Sequence, residues 1–268
     1  MTSSSTRSLK SFKALSFDVY ATLIDWETGI FSALTPLRKR LSATHPSKDN
    51  RRALLQLYTR FEGELEHTHP TMRYNTLLGM VYESIAAELG VRDAIEDNTL
   101  AEEMEIFGNS VGAWPAFPDT VAALKVLGKY YKLIILSNVD NENIERTRTG
   151  PLESTTFCAT YTAQEIGSYK PDVQNFNYLI KHAKAKLGVE MEQILHTAQA
   201  LKHDHVPAKQ AGLTSCWIER RGDDAIIGGK IGDFKQGELE LLFRYQTLGD
   251  MARAVEMAFQ SEHTQQEH

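Results

Sequence analysis

Short apolar segments that break off on polar residues, separated by helical stretches, constrain this chain more than any other feature. Residues 14–20, Ala-Leu-Ser-Phe-Asp-Val-Tyr, are apolar and carry Asp18 towards their C-terminal tip. Residues 132–138 run through Leu133, Ile134, Ile135 and Leu136 into Ser137-Asn138. Residues 194–198 and 214–218 are two further short segments, and 156–161 is a weaker one. Runs of this length bounded by turn signals suit strands buried on both faces. Helices are predicted between them over 120–130, over 176–187 with a stop at Gly188, and over 207–211 with a stop at Gly212. Strands alternating with helices predict a parallel α/β sheet. Such sheets bind ligands beyond the carboxyl ends of their strands. Asp18, Ser137-Asn138 and Asp204 all follow predicted strands, and Lys170 lies in a loop between strands, so these residues can converge on one crevice.

One stretch breaks the alternation. From Gly29 to about Leu89, apolar residues recur at one-turn spacing: Ile30, Leu34 and Leu37, then Leu54, Tyr58, Phe61 and Leu65, then Leu77, Val81, Ile85 and Leu89. Residues 100–107 continue the pattern, and Pro36, His45-Pro46 and His69-Pro70 mark turns or helix starts. No strand candidate interrupts it. The expected organisation is an α/β core from residues 1–25 and 114–268, with an all-helical insert over 26–113. Residues 221–237, rich in Gly and Asp, read as a loop excursion, and a helix near 251–259 closes the core. The Ser-rich start, residues 1–13, and the His- and Gln-containing tail read as frayed ends.

Composition narrows the function class. A net charge of −6, from 29 basic and 35 acidic residues, offers no attraction to nucleic acid or to an anionic membrane. No apolar run reaches the ~18 residues needed to span a bilayer. The N-terminus has no apolar core of a secretory signal, so a cytoplasmic location is expected. Cys158 and Cys216 are far apart and read as reduced thiols; His196 and His205 have no metal-ligand spacing and read as structural. These observations leave a small-molecule enzyme or binding domain.

A strand-end Asp, a strand-end Ser, a loop Lys and a later Asp are the components of an aspartyl nucleophile site: the carboxylate attacks, the Lys compensates its charge, the Ser orients substrate. Four segments carry a family resemblance. Phe-Asp-Val-Tyr-Ala-Thr-Leu (17–23), Leu-Ser-Asn (136–138), Tyr-Lys-Pro-Asp (169–172) and His-Asp (203–204), in that order and spacing, resemble the motifs of the haloacid dehalogenase (HAD) superfamily. The resemblance covers residues 12–25 and 114–220. It implies a doubly wound parallel α/β core with a helical cap domain inserted after the first strand, an active site between the two, and Asp18 as nucleophile.

The branch can be argued chemically. Phosphatases of this superfamily carry Asp-x-Asp, the second Asp protonating a poor leaving group, and bind Mg²⁺ through several carboxylates. Here that second position is Tyr20, with an ordinary pKa of ~10, and no carboxylate pair stands at the fourth motif, Asp223-Asp224 falling in a loop past the fifth strand. The sequence is closer to the L-2-haloacid dehalogenase branch, with an altered fourth motif. That resemblance implies displacement of a leaving group at carbon of a small carboxylic acid, through an aspartyl ester that water hydrolyses, with no metal or other cofactor. Lys170 would neutralise Asp18, and Asp204 would orient Lys170 or help activate water. Ser137, Asn138 and Thr22 would position nucleophile and substrate. Tyr20, Trp26 and Phe117 are expected to contact substrate, and Arg60 or its rival Arg73 to supply the cap arginine. The resemblance also allows a homodimer.

Several positions depart from that branch. Ala21 replaces the Gly after the first-motif Tyr, Phe176 replaces a Tyr six residues after the Lys, and the Ser and Asn usually preceding the fourth-motif Asp are not recognisable among Ala198-Gln199-Ala200-Leu201-Lys202. His203 stands where an aromatic residue packs on halide. An imidazole can donate a proton, which raises the expectation that the leaving group is nitrogen or oxygen of a strained ring, such as an epoxide or aziridine. The alternatives are a Mg²⁺-dependent phosphatase of the same superfamily and a non-catalytic binding protein on the same fold.

Overall fold

The computed structural model describes residues 7–69 and 72–261. The chain divides into two compact units: Met1–Ile24, Ala116–Ile144 and Leu152–His268 form one, and Asp25–Pro115 with Glu145–Pro151 form the other. The predicted turn at Pro70 and the frayed ends at residues 1–6 and 262–268 lie outside the described residues. Within residues 8–13 the chain is ordered, contrary to the sequence expectation. Leu9–Ser11 makes a 3-10 turn capped by the Ser8 hydroxyl, because Leu9 and Phe12, three residues apart, are both buried.

The first unit is built on a six-stranded parallel sheet: β1 (Ala14–Phe17), β2 (Lys132–Ser137), β3 (Ala159–Thr162), β4 (Ile194–Ala198), β5 (Thr214–Ile218) and β6 (Leu241–Tyr245), in spatial order β3-β2-β1-β4-β5-β6. The central strands are buried along their length, as their near-continuous apolar runs require. β1 stops at Phe17, so Asp18 stands just past the strand rather than within it. β3 begins three residues later than the segment predicted for it. The sequence reading missed β6. As an edge strand it buries neither face fully and lacks the fully apolar look of the inner strands.

Strand register decides which side chains meet. Ser16 pairs with Ile134 on β2 and with His196 on β4, and His196 pairs with Ser215 on β5. Register partners in parallel strands point to the same face, so three polar side chains form one buried row. The rest of that face is apolar: Ala14, Ile134, Leu136 and Ile194 pack with Tyr161, Phe176 and Leu179.

The second unit is all helical, with α1 (Trp26–Ala33), α2 (Thr35–Arg40), α3 (Arg51–Thr68), α4 (Tyr74–Glu88) and α5 (Asp97–Gly108). α4 and α5 approach closely at Gly108, where a Cβ would stand 2.2 Å from the Asn75 carbonyl oxygen. Tyr58, Trp26 and Phe107 share ring contacts, with centroids 5.7 Å apart for Trp26–Tyr58 and 6.4 Å for Tyr58–Phe107. Beside them, Glu62 Oε1 accepts from the Tyr58 hydroxyl at 2.7 Å and from the Tyr74 hydroxyl at 2.5 Å. Burial pushes Glu62 up to about 7. A carboxyl raised above its unfolded value of 4.5 favours the folded state fully below that value, and the contribution is lost as pH rises through about 7. Thermal unfolding followed from pH 5 to pH 8 should therefore show a falling midpoint that Glu62→Gln flattens. An equal slope in the variant would assign the pH dependence elsewhere.

Among the described residues no helix is long and apolar enough to cross a membrane.

Candidate active site

Asp18 leaves β1 at the centre of the sheet, where the strand order turns outwards in both directions, with its backbone N–H on the Thr197 carbonyl oxygen of β4 at 3.2 Å. The chain then folds back sharply. The N–H groups of Thr22, Leu23 and Ile24 all donate to the Val19 carbonyl. This turn requires φ 75° at Ala21, the left-handed region that favours glycine. Alanine there costs about 1 kcal/mol, and the backbone need explains why Gly is usual at this position. The turn returns the Thr22 hydroxyl to Asp18 Oδ2 at 2.6 Å, while the Gln199 N–H donates to Thr22 Oγ1 at 2.9 Å.

Lys170 arrives from the loop between β3 and β4, 152 residues along the chain. Its Nζ donates to Asp18 Oδ1 at 2.8 Å, to Asp204 Oδ1 at 2.7 Å and to the Leu136 carbonyl at 3.2 Å. All three charged groups are buried: Asp18 is 7%, Lys170 3% and Asp204 1% exposed. Burial pushes the Asp18 carboxyl above its ordinary value, and Lys170 pulls against that rise. Asp204 is also desolvated, but Lys170 and the hydrogen bond from His196 outweigh burial and hold it well below the usual carboxylate range. Lys170 is itself desolvated, and the two carboxylates more than compensate, raising its pKa. One buried ammonium thus stands between two carboxylates.

The other residues singled out in the sequence take distinct places. Asn138 clamps the Lys170 loop: its Nδ2 donates to the Lys170 carbonyl at 2.8 Å and its Oδ1 accepts the Lys170 N–H at 2.7 Å. Its amide is thereby committed to holding the backbone that delivers Lys170. Ser137 ends β2 with its hydroxyl buried and without a hydrogen-bond partner among the described residues, so it is available to a bound molecule. Tyr20 makes an isolated bridge with Ile24. Phe117 carries the Arg220 guanidinium 4.1 Å from its ring centroid. His203 lies at the surface of the α/β unit within a π turn, Leu201–His205, and partial desolvation lowers its pKa. Trp26, Arg60 and Arg73 belong to the helical unit. Trp26 is buried against Tyr58. Arg60 is half exposed, pairs with Glu88 at 3.2 Å and lines a surface pocket of about 390 Å³. Arg73 is the exposed N-cap of α4.

Two neighbours of the candidate site were not foreseen. Arg220 follows β5 and donates to the Thr22 carbonyl at 2.8 Å and to Asp119 Oδ1 at 2.6 Å, pinning the turn that carries Thr22. His196, read from the sequence as structural, is completely buried and places Nε2 2.9 Å from Asp204 Oδ1. A histidine inside an otherwise apolar strand was the available signal, since a buried polar group needs a partner. His205 is the second buried histidine, lowered to about 4 by burial. It spans the Ser215 hydroxyl and the Ala198 carbonyl.

The donor set does not suit a magnesium ion, which seeks about six oxygens. Both candidate carboxylates already bind Lys170, and no group of three or more His, Cys, Asp or Glu is placed to hold a metal among the described residues.

No family model matches the sequence, and no curated protein matches it. Solved structures do. The L-2-haloacid dehalogenase of Xanthobacter autotrophicus matches with a TM-score of 0.65 at 18% identity, covering 91% of this chain and 98% of its own. The fold is that of the haloacid dehalogenases. A defluorinating L-2-haloacid dehalogenase, Rha0230, has a TM-score of 0.68 at 18% identity, covering 93% and 98%. A HAD-hydrolase of Bacillus subtilis, YfnB, solved with bound magnesium, has 0.63 at 16%, covering 90% and 97%. The haloacid dehalogenase fold therefore accounts for nearly the whole chain, and the expected α/β core stands.

Proposed function

We propose that this protein is a hydrolase that uses Asp18 to displace a leaving group from carbon of a small carboxylic acid. The observation that carries the reading is the placement of Asp18 at the end of the central strand, with one oxygen on Lys170 and the other on Thr22. These two donors aim both carboxylate oxygens while leaving each a free lone pair. The first step forms a bond from an Asp18 oxygen to the substrate carbon and breaks the bond from that carbon to the leaving group, which departs with its electron pair; configuration inverts. Water then adds to the Asp18 carbonyl carbon, and the ester collapses to a 2-hydroxy acid and the regenerated carboxylate. Lys170 balances the anionic nucleophile, and Asp204 keeps Lys170 in place. A halide leaves without a proton, so Tyr20 at the position of the phosphatase acid is no obstacle. The commitment of both carboxylates to Lys170 supports a reaction without a metal.

The dehalogenase of Xanthobacter autotrophicus has also been solved with chloropropionic acid covalently bound, which supports choosing 2-halo acids as the first probes. Ring opening of an epoxide or aziridine acid needs a proton at the leaving atom. The lowered pKa of His203 leaves less imidazolium than an ordinary histidine carries, which favours halide over a ring heteroatom.

The test is single turnover in ¹⁸O-water on 2-halo acids, strained-ring acids and phosphate esters, with EDTA or added Mg²⁺. Label entering Asp18 with a halo acid, unaffected by EDTA, is expected. Metal-dependent phosphate release with no turnover at carbon would replace this reading with the phosphatase. Ring opening that survives in wild type and disappears in His203→Phe would shift the substrate class to strained rings.

A further inference from the structure

We infer that His196 is a positioning residue for this site, holding Asp204 as an anion and, through Asp204, holding Lys170 on Asp18; the inference rests on Asp18 being the nucleophile. Asp204 Oδ1 accepts from Lys170 Nζ at 2.7 Å and from His196 Nε2 at 2.9 Å. An ionised carboxylate only accepts hydrogen bonds, so His196 must carry its proton on Nε2. Its Nδ1 lies 2.9 Å from the Ser16 hydroxyl oxygen, a hydrogen bond that holds the other edge of the ring. The result is a hydrogen-bonded chain that starts on two adjacent strands: Ser16 with His196, His196 to Asp204, Lys170 to both carboxylates, Thr22 to Asp18 and the Gln199 amide to Thr22.

The environment leaves this ring little freedom. His196 is completely buried, Phe176 meets it edge-on with centroids 5.2 Å apart, and Ser16 beneath it is also completely buried. The ionisable groups facing the cluster are Asp204, Lys170, Asp18 and His205, with His203 and Lys202 on the π turn. Of these, only Lys170 and His196 donate to Asp204 among the described side chains. Without the imidazole, Lys170 would be the sole side-chain donor to Asp204 among the described residues. Asp204 could then take a proton and release its share of Lys170. The strand register that sets Ser16 opposite His196 builds this arrangement into the sheet itself.

The experiment compares wild type, His196→Phe and His196→Gln. Carboxyl ¹³C NMR titration should show Asp204 titrating at least about one pH unit higher in the Phe variant, the loss expected for one hydrogen bond to a charged group. The Gln variant, which restores an N–H donor, should recover most of the shift. In turnover, the Phe variant should lose about 10-fold or more in kcat with KM little changed, and the Gln variant should recover most of the loss. Ring ¹⁵N shifts of wild-type His196 should report a proton on Nε2. Coincident carboxyl titrations in wild type and the Phe variant would overturn the inference, as would a ring proton on Nδ1 alone. Should the Phe variant not fold, the ring tautomer and the Gln variant decide. Carboxyl titration and tautomer need no substrate, so they stand or fall separately from the ¹⁸O test of Asp18.

Discussion

Asp18→Asn should abolish turnover, by about 10⁴-fold or more, while the protein remains folded. The expected loss reflects chemistry rather than architecture. Asparagine keeps the shape of the side chain and can still accept from Lys170 or Thr22, but it cannot form the ester. Burial already disfavours the Asp18 carboxylate, raising it above its ordinary 3.8, and Lys170 keeps Asp204 as its partner when that charge is removed. The same raised value sets the acid limb of kcat/KM in wild type. The nucleophile must be ionised, so the limb should lie above the ordinary carboxylate value of 3.8 and activity should fall as pH drops through it. Single-turnover kinetics across pH, with thermal unfolding of the variant in parallel, checks both statements. Retained turnover in Asp18→Asn would end the nucleophile reading.

Lys170→Met should cost both activity and stability. Removing one partner of a buried ion pair leaves the other uncompensated, at about 3–5 kcal/mol, and here one cation serves two carboxylates. The pH dependence follows from the sign of the shifts. In wild type Asp204 is depressed, so its contribution is present above its unfolded value and is lost as pH falls towards the folded one. In the variant, Asp18 and Asp204 face each other without a cation, and both are pushed up. Acidification should therefore narrow the stability gap between variant and wild type. Thermal unfolding at pH 7 and pH 4 reads it. A gap of equal size at both values would assign the loss to packing of the lysine stem, not to charge.

The site was legible where local pattern carries chemistry. Asp18, Ser137 and Asp204 follow strands, and strand ends can be read from short apolar runs that stop on polar residues. Lys170 was found because a Lys-Pro-Asp loop stood at the right distance from Ser137. The assignment of Asn138 to substrate was less complete. Its amide faces the Lys170 backbone, 32 residues away, and no local pattern announces such a partnership. Arg220 escaped notice for the same reason: its target, the Thr22 carbonyl, lies 198 residues earlier. The edge strand β6 was missed because half-exposed positions blur the apolar run that marks an inner strand.

The sequence by itself determined the α/β alternation, the long helical insertion after the first strand, and the residue types of an aspartyl nucleophile site in their order. Those properties follow from hydrophobic periodicity and side-chain chemistry, which are local. Only the tertiary structure decided that one lysine serves two carboxylates, that Asn138 holds the lysine loop, and that His196 reaches Asp204. Each of these depends on the register of parallel strands joined by long crossovers. A shift of one residue turns every side chain of a strand to the opposite face, so Ser16 meets His196 only in the register that the packed sheet adopts.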